Sequence, residues 1–412
     1  MSLKQTLAHR HVKRFYLARF ISSFGNGMGP IALAFGILHL KNGSASELGL
    51  VLGSTTVALL CVLPFGGVLA DKYGRVFMCG ASDIIAGTCL LVQVYYFHTG
   101  NVPLAALLFS NISFGIMWGI FWPSMTGMLP ALLPEENLQQ GNAINQFLSN
   151  FSTIVGTAVG GFIVSVYGST WALGIDALTF IFAGSMVIGL YKLTPRRVVT
   201  ENSMFQDLRH GWKVFISYPW IVVTVFGFSL LVMAWSAGDS VLGPVISLKS
   251  FHGAKSWATV ISCETIGYLV GSLVGMKIKL KKPMRFLVLI TFTCPIYLFL
   301  LARPFSLGII MIAAFFWGIT LDLWSTIWST CFQRTIPRES LSRVSAYDAL
   351  GTMMLRPVGL AIAAPLAAAV GVTRAMEFFS LVTLIVVLGI YAFPSVRRME
   401  LSANSSPTQV IL

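Results

Sequence analysis

The sequence predicts an all-α, polytopic membrane protein: twelve transmembrane helices in two pseudo-symmetric six-helix bundles. Three observations carry this. Apolar runs long enough to cross a bilayer, about 20 helical residues each, recur from end to end of a 412-residue chain that is 56% hydrophobic and 10% charged, where a soluble domain carries about 25% charged residues. The basic residues between these runs fall mostly on one side. The second half of the chain repeats the first at an offset of 203 residues.

Taken in order, residues 1–14 form a basic N-terminal segment. The run at 15–38 follows it; this run is too long for a signal peptide and lacks a clear small-residue cleavage site, so it is expected to remain as the first span. Runs at 48–70, 76–97, 103–129, 142–166 and 171–191 complete an N-terminal bundle over 15–191. The segment 192–217, opening TPRRVVTENS, is the longest polar stretch inside the chain and reads as a linker. Runs at 218–246, 257–276, 284–301, 304–332, 344–370 and 375–393 make a C-terminal bundle over 218–393, and 394–412 is a tail.

Placing the N-terminus in the cytoplasm puts 21 Lys and Arg in cytoplasmic segments and five in outer loops, with Arg19 and Arg356 inside spans. That asymmetry is the positive-inside rule, so both termini and the linker are expected to be cytoplasmic. The net charge of +13 is spread between spans rather than gathered on one arm, which argues against nucleic acid as a partner. The six cysteines are scattered through spans without C-x-x-C spacing, so neither a metal site nor a disulfide framework is indicated.

The repeat lays FGIMWGIFWPSMTGMLPALLPEENL, from Phe114, over WGITLDLWSTIWSTCFQRTIPRESL, from Trp317. Gly115 then matches Gly318, Pro134 matches Pro337, Glu136 matches Glu339 and Leu138 matches Leu341; the same register carries Gly168 onto Gly371 and Thr170 onto Thr373. Duplicated halves in a membrane are the architecture of secondary transporters, with a substrate site near the midplane exposed alternately to each side.

In this topology GGVLADKYGR, residues 66–75, is a short cytoplasmic loop between the second and third spans. Gly66 and Gly67 allow a neighbouring helix to approach, Gly74 permits a tight turn, and Asp71 with Arg75 supplies groups for a latch between halves. The stretch resembles the loop signature of the major facilitator superfamily, G-x-x-x-D-R/K-x-G-R-R/K. Gly67, Asp71, Lys72, Gly74 and Arg75 match it, and Val76 stands where a second base is usual. The resemblance covers nearly the whole chain. It implies that Asp71 and Arg75 stabilise an outward-facing state, and that spans one, four, seven and ten surround the central cavity.

Within that superfamily, PALLPEENLQQGNAINQ, LSRVSAYDALGTMMLRPVG and FPSVRRME look like bacterial exporters of the macrolide and siderophore type. A fifth-span motif of the family's antiporters, G-x-x-x-G-P-x-x-G-G, survives in part: Gly156, Gly160 and Gly161 are kept, while Ser152 and Thr157 replace the first Gly and the Pro. Plain small-residue packing accounts for these glycines as well as an antiport role does.

An ionisable group within a span is costly and a candidate for function. Arg19, Asp83 and Asp176 lie within about two turns of a span end and are expected to reach headgroups or water. Asp322, in WGITLDLWSTIW, lies well inside the tenth span, where an acid can bind a cationic substrate or carry a proton. Arg356, before Pro357, needs an anionic partner or an aqueous cavity, and Asp322 and Glu264 are its nearest expected partners. Glu264 and Asp239, the latter near the outer end of span seven, suit a proton route or an outer gate equally. A buried structural ion pair is the alternative for Asp322 and Arg356. Asn26, in SSFGNGMGPIAL, stands where related exporters often carry an acid; its amide can bind a substrate but cannot titrate. Trp118, Trp122, Trp324 and Trp328 are candidates for lining an adaptable apolar cavity, or for packing and lipid contact.

The function expected is therefore secondary active export of a small amphipathic compound, such as an antibiotic or secreted metabolite, by proton antiport, from a monomer in a bacterial cell membrane. Uptake or facilitated transport of a metabolite or lipid-like solute is the alternative, and a transporter-derived sensor or membrane enzyme is the less favoured third reading. No G-x-x-x-x-G-K-S/T, H-E-x-x-H or G-x-S-x-G stretch occurs, so neither an ATPase nor an enzyme is expected and no cofactor is called for.

Overall fold

A computed structural model describes residues 10–41, 43–126, 128, 132, 138–190, 211–275, 278, 280–303, 306–336 and 338–399, without the side chains of Val68, Asp71, Thr126, 138–140, 142–143, 333 and 338–343. The chain ends, linker residues 192–210 and the repeat partners Pro134, Glu136 and Pro337 lie outside the described residues. Those that are described contain helices, turns and bends, and no strand. Among the described residues, twelve segments are long and apolar enough to cross a membrane: His11–Leu38, Ala45–Gly67, Arg75–Thr99, Leu104–Met125, Ile144–Tyr167, Ser169–Ile188, Pro219–Ser250, Ala254–Gly275, Pro283–Ala302, Leu307–Phe332, Val344–Val370 and Val372–Ala392. Helix is what such sequences must form in lipid, because it satisfies every backbone N–H and C=O within one segment.

The chain divides into two compact units, one taking Met1–Thr200 with Ser247–Ser262, the other Glu201–Ile246 with Cys263–Leu412. In the first unit, glycines let helix backbones touch, the usual device where lipid removes the hydrophobic drive between helices. A Cβ on Gly115 would strike the Thr55 carbonyl, and one on Gly66 the Gly119 carbonyl, so spans two and four meet face to face. Gly67 is different: its nearest neighbour is Pro123, at an ordinary 4.0 Å, so close approach is the work of Gly66 alone.

The second unit repeats the device. A Cβ on Gly318, the repeat partner of Gly115, would strike the Glu264 carbonyl and so fixes span ten against span eight. Proline breaks shape the rest. Pro295 leaves span nine as two helices, Pro283–Ile290 and Thr293–Ala302, because its ring has no N–H and crowds the carbonyl four residues back. Pro357 does the same in span eleven, which stops at Met353 and restarts at Arg356.

The repeat also shows in the joints. Gly168 (φ 89°, ψ 166°) links spans five and six, and Gly371 (φ 91°, ψ 150°) links spans eleven and twelve, each as the residue preceding the new helix. That backbone region is open essentially to glycine only. Gly74 (φ 97°) makes a third such joint: the helix Ala45–Tyr73 runs through Asp71 and Lys72, and the next begins at Arg75. The expected loop is thus one residue long, because the polar residues complete a last helical turn whose backbone is already paired.

Candidate functional site

Span seven is where the second unit departs from regular helix. Residues Ala237–Leu242 form a π turn, closed by a bond from the Gly243 N–H to the Gly238 carbonyl. Pro244 explains it: with no N–H to offer and a ring pressing on the preceding turn, it leaves the ladder to widen by one residue. Such turns concentrate at functional sites. Asp239 sits on this one, 7% exposed, and the Tyr297 hydroxyl, wholly buried on span nine, donates to its Oδ1 at 2.8 Å.

Three more elements bring charge to the same place. Arg356 lies within electrostatic range of Asp239. It heads the restarted helix of span eleven, where the helix dipole disfavours a cation and a nearby carboxylate offsets that. The break is pinned to span seven: the Leu355 N–H donates to Ser229 Oγ at 3.3 Å, and a Cβ on Gly359 would strike the Met233 carbonyl. Glu264, 5% exposed on span eight, is within range of Asp239 and within hydrogen-bonding reach of Tyr268. Glu264 Oε2 and Arg356 Nε are buried without a hydrogen-bond partner among the described residues.

The candidates Asp239, Glu264 and Arg356 therefore converge, but not as expected. The carboxylate whose charge acts on Arg356 is Asp239, rather than Asp322 or Glu264. Asp239 is not near a span end either, since the helix continues to Ser250, about 16 Å further at 1.5 Å per residue; Glu264 is similarly about 15 Å into its span. Asp322 is only half-buried, accepts from Thr326 Oγ1 at 3.4 Å, and joins the group through Tyr268. With Arg356 matched to Asp239, a second carboxylate remains, so the fully ionised group carries at least one negative charge in excess.

The first unit holds a smaller polar group. Arg19 lies near Asp83, with its guanidinium carbon 5.2 Å from the centre of the Phe121 ring. Ser22, Asn26, Ser82, Asp83 and Trp118 line a cavity of about 10 Å³, room for one water. Asp176 packs onto span one, where a Cβ on Gly25 or Gly29 would run into its carboxylate. Asp83 and Asp176 are each 4% exposed, and Arg19 Nε and Nη1 are buried; none of the three reaches outward as its sequence position suggests. Of the three spaced glycines in span one, Gly25 and Gly29 make room for the Asp176 side chain and Gly27 for the backbone of span five.

Spans one and five interlock through the altered fifth-span motif. Gly156 packs on the Phe24 carbonyl, Gly160 lies 2.8 Å by its would-be Cβ from Met28 Cα, and Gly161 faces Ala258 in the same unit. The two departures make hydrogen bonds instead: Ser152 Oγ donates to the Phe20 carbonyl and Thr157 Oγ1 to that of Gly27, the latter at 3.2 Å. Of the tryptophans, Trp324 and Trp328 line a cavity of about 210 Å³ in the second unit, while Trp122 is 58% exposed and borders neither cavity.

Sequence reasoning did not single out Tyr297, Tyr268 or Asp348. Nothing in a tyrosine's position in an apolar run marks it as a donor to a carboxylate. Asp348 is another matter, because it lies inside the 344–370 span and has the same claim as the other seven charges. Its Oδ2 accepts from Trp328 Nε1 at 3.0 Å at the edge of the larger cavity.

A model of the Major Facilitator Superfamily matches residues 15–359. The chain is 26% identical to the enterobactin exporter EntS of Citrobacter koseri over 387 residues, 90% of either chain. It is 26% identical to the staphyloferrin A transporter of Staphylococcus aureus over 273 residues, 65% of this chain and 67% of that one. Its fold is similar to that of a bacterial homologue of the human lysosomal transporter Spinster, in an inward-facing, unoccupied conformation, with a TM-score of 0.72 at 14% identity over 96% of this chain and 99% of the other. The nucleoside transporter NupG matches with a TM-score of 0.69 at 14% identity, covering 93% and 99%.

Proposed function

Because the chain belongs to the Major Facilitator Superfamily, we propose that this transporter is a secondary active exporter of a small amphipathic compound, energised by proton antiport. The observation that carries the coupling is the group of Asp239, Glu264 and Arg356 on the π turn of span seven and its neighbours. An uncompensated charge in an apolar interior is expensive. One guanidinium matches one carboxylate, and the second is neutralised by a proton or by a cationic ligand, so loading one can displace the other. Tyr297 holds Asp239 in place for that exchange, and Asp322 extends the group. The export direction draws on the enterobactin exporter, alignable over 90% of this chain.

In this reading the two six-helix halves, 15–191 and 218–393, rock to expose the site alternately to either side. Gly67, Asp71, Lys72, Gly74 and Arg75 act as the gate that the family resemblance implies, with Gly74 as the joint that sets one helix against the next. In the same reading the protein works as a monomer in a bacterial plasma membrane, and the distribution of Lys and Arg supports placing both termini in the cytoplasm.

The test is efflux of a panel of neutral and cationic fluorescent compounds from energised cells, with and without a protonophore, for the parent and for Asp239→Asn, Glu264→Gln and Asp322→Asn. Loss of export with the protonophore and in Glu264→Gln supports proton antiport. Export that survives the protonophore sinks it.

A further inference from the structure

The second unit contains a cavity of about 210 Å³ that is separate from the Asp239 group. Its wall brings together Phe228 and Thr224 of span seven, Trp324 and Trp328 of span ten, and Asp348 and Thr352 of span eleven. The aromatic surface is continuous: the Phe228 and Trp324 ring centres are 4.1 Å apart, and those of Trp324 and Trp328 are 6.0 Å apart. Both indoles are held by their own N–H groups. Trp324 Nε1 donates to Thr291 Oγ1 at 2.6 Å, and Trp328 Nε1 donates to Asp348 Oδ2 at 3.0 Å. Neither ring can turn without losing its hydrogen bond, so the rings form a fixed wall rather than a pliable one.

Among the described residues the charge in that wall has a single sign. Thr352 is within hydrogen-bonding reach of the Asp348 carboxylate, and no Lys or Arg among the described residues acts on it. A carboxylate held by an indole and a hydroxyl, beside three aromatic rings, combines the two attractions an organic cation seeks: an opposite charge, and ring faces whose quadrupoles favour positive charge. An anion would meet the carboxylate alone. The volume is below the range of drug-sized pockets, about 300–1,000 Å³, and suits a compact ligand.

We propose that this cavity is a binding site for a small organic cation, an alkylammonium or protonated amine, with Asp348 as its counter-ion and Phe228, Trp324 and Trp328 as its aromatic wall. As a statement about what is transported it rests on the export reading above; as a statement about binding it does not.

The test is equilibrium binding of radiolabelled tetraethylammonium to the purified full-length protein, with efflux of the same ion from energised cells measured in parallel. Saturable binding is expected. Asp348→Asn should weaken it by tenfold or more, and Phe228→Leu, which keeps an apolar side chain without the ring, by about two- to thirtyfold. Glu377→Gln, at a carboxylate paired with Arg303 and absent from the cavity wall, should bind as the parent does. Each variant is compared at matched melting behaviour, and Phe228→Leu leaves the carboxylate and its two donors in place should Asp348→Asn fail to fold. No saturable binding by the parent, or equal affinity in Asp348→Asn, overturns the site. Asp348-dependent binding without efflux leaves the site standing and removes the export reading for this ion. Efflux of other compounds by a protein that does not bind tetraethylammonium removes the site and leaves export intact.

Discussion

Gly371 and Gly389 give a paired prediction of opposite sign. Neither has any atom within 4 Å of the place a Cβ would occupy, so a methyl group fits at both. They differ only in backbone. Gly371 has φ 91° and ψ 150°, whereas Gly389 lies inside the helix Val372–Ala392. Gly371→Ala forces an L-residue into a region that costs about 1–3 kcal/mol, offset by about 0.4–1 kcal/mol from a less flexible unfolded chain. The net is a loss of up to about 2.5 kcal/mol. Gly389→Ala meets no strain and gains the helix preference of alanine over glycine, about 0.5–1 kcal/mol. At about 2–4 °C per kcal/mol for a unit of this size, the two variants should melt several degrees apart, Gly371→Ala below the parent and Gly389→Ala at or above it. Gly168→Ala, the repeat partner, should follow Gly371→Ala. The assay is the apparent melting midpoint in detergent at one fixed scan rate, since membrane proteins seldom unfold reversibly. If Gly371→Ala and Gly389→Ala shift the midpoint in the same direction and by the same amount, the glycine joints are not what the backbone geometry makes them.

Other consequences are as direct. Tyr297→Phe removes a buried donor to a carboxylate and should cost about 1.5–3 kcal/mol, read as a lower melting midpoint. Arg356→Met should cost more than Arg356→Lys in the same assay, because it removes the positive charge that acts on the buried Asp239. Thr157→Val keeps the shape at Gly27 and loses one hydrogen bond, about 0.5–1.5 kcal/mol; Gly156→Leu cannot fit against the Phe24 carbonyl and should abolish folded protein on size-exclusion chromatography. Asp71→Asn should slow transport while substrate binding persists, and an unchanged transport rate would contradict the gating role.

What could be read from sequence was what depends on length and composition. Bilayer thickness sets the length of an apolar run, so the twelve spans follow from hydropathy, and the chain's duplication is visible in Gly168 and Gly371 because a glycine-only backbone leaves no substitute. The candidates Asp239, Glu264, Asp322 and Arg356 were found because charge in lipid is conspicuous. Which acid faces Arg356 was not legible, since it turns on the π turn before Pro244 and the break before Pro357, each of which rotates a helix relative to an ideal 3.6-residue period. The burial of Asp83 and Asp176 is hidden for a related reason: sequence gives depth along a span, but what encloses a side chain is the neighbouring helix, here the glycine face of span one for Asp176 and Gly184 of span six for Asp83. Asp348 was overlooked in a stretch, LSRVSAYDALG, whose polar residues resemble a loop. The helix Arg338–Met353 runs straight through it.

The central claim, that the second carboxylate beside Asp239 and Arg356 exchanges a proton for the transported compound, is tested most directly by proton movement itself. The protein is reconstituted into liposomes holding a pH-sensitive dye, and a compound found in the efflux panel is added. Protons should move opposite to the compound in the parent protein, and the movement should vanish in Glu264→Gln while the protein remains folded. Compound transport that proceeds with no proton movement would contradict the account.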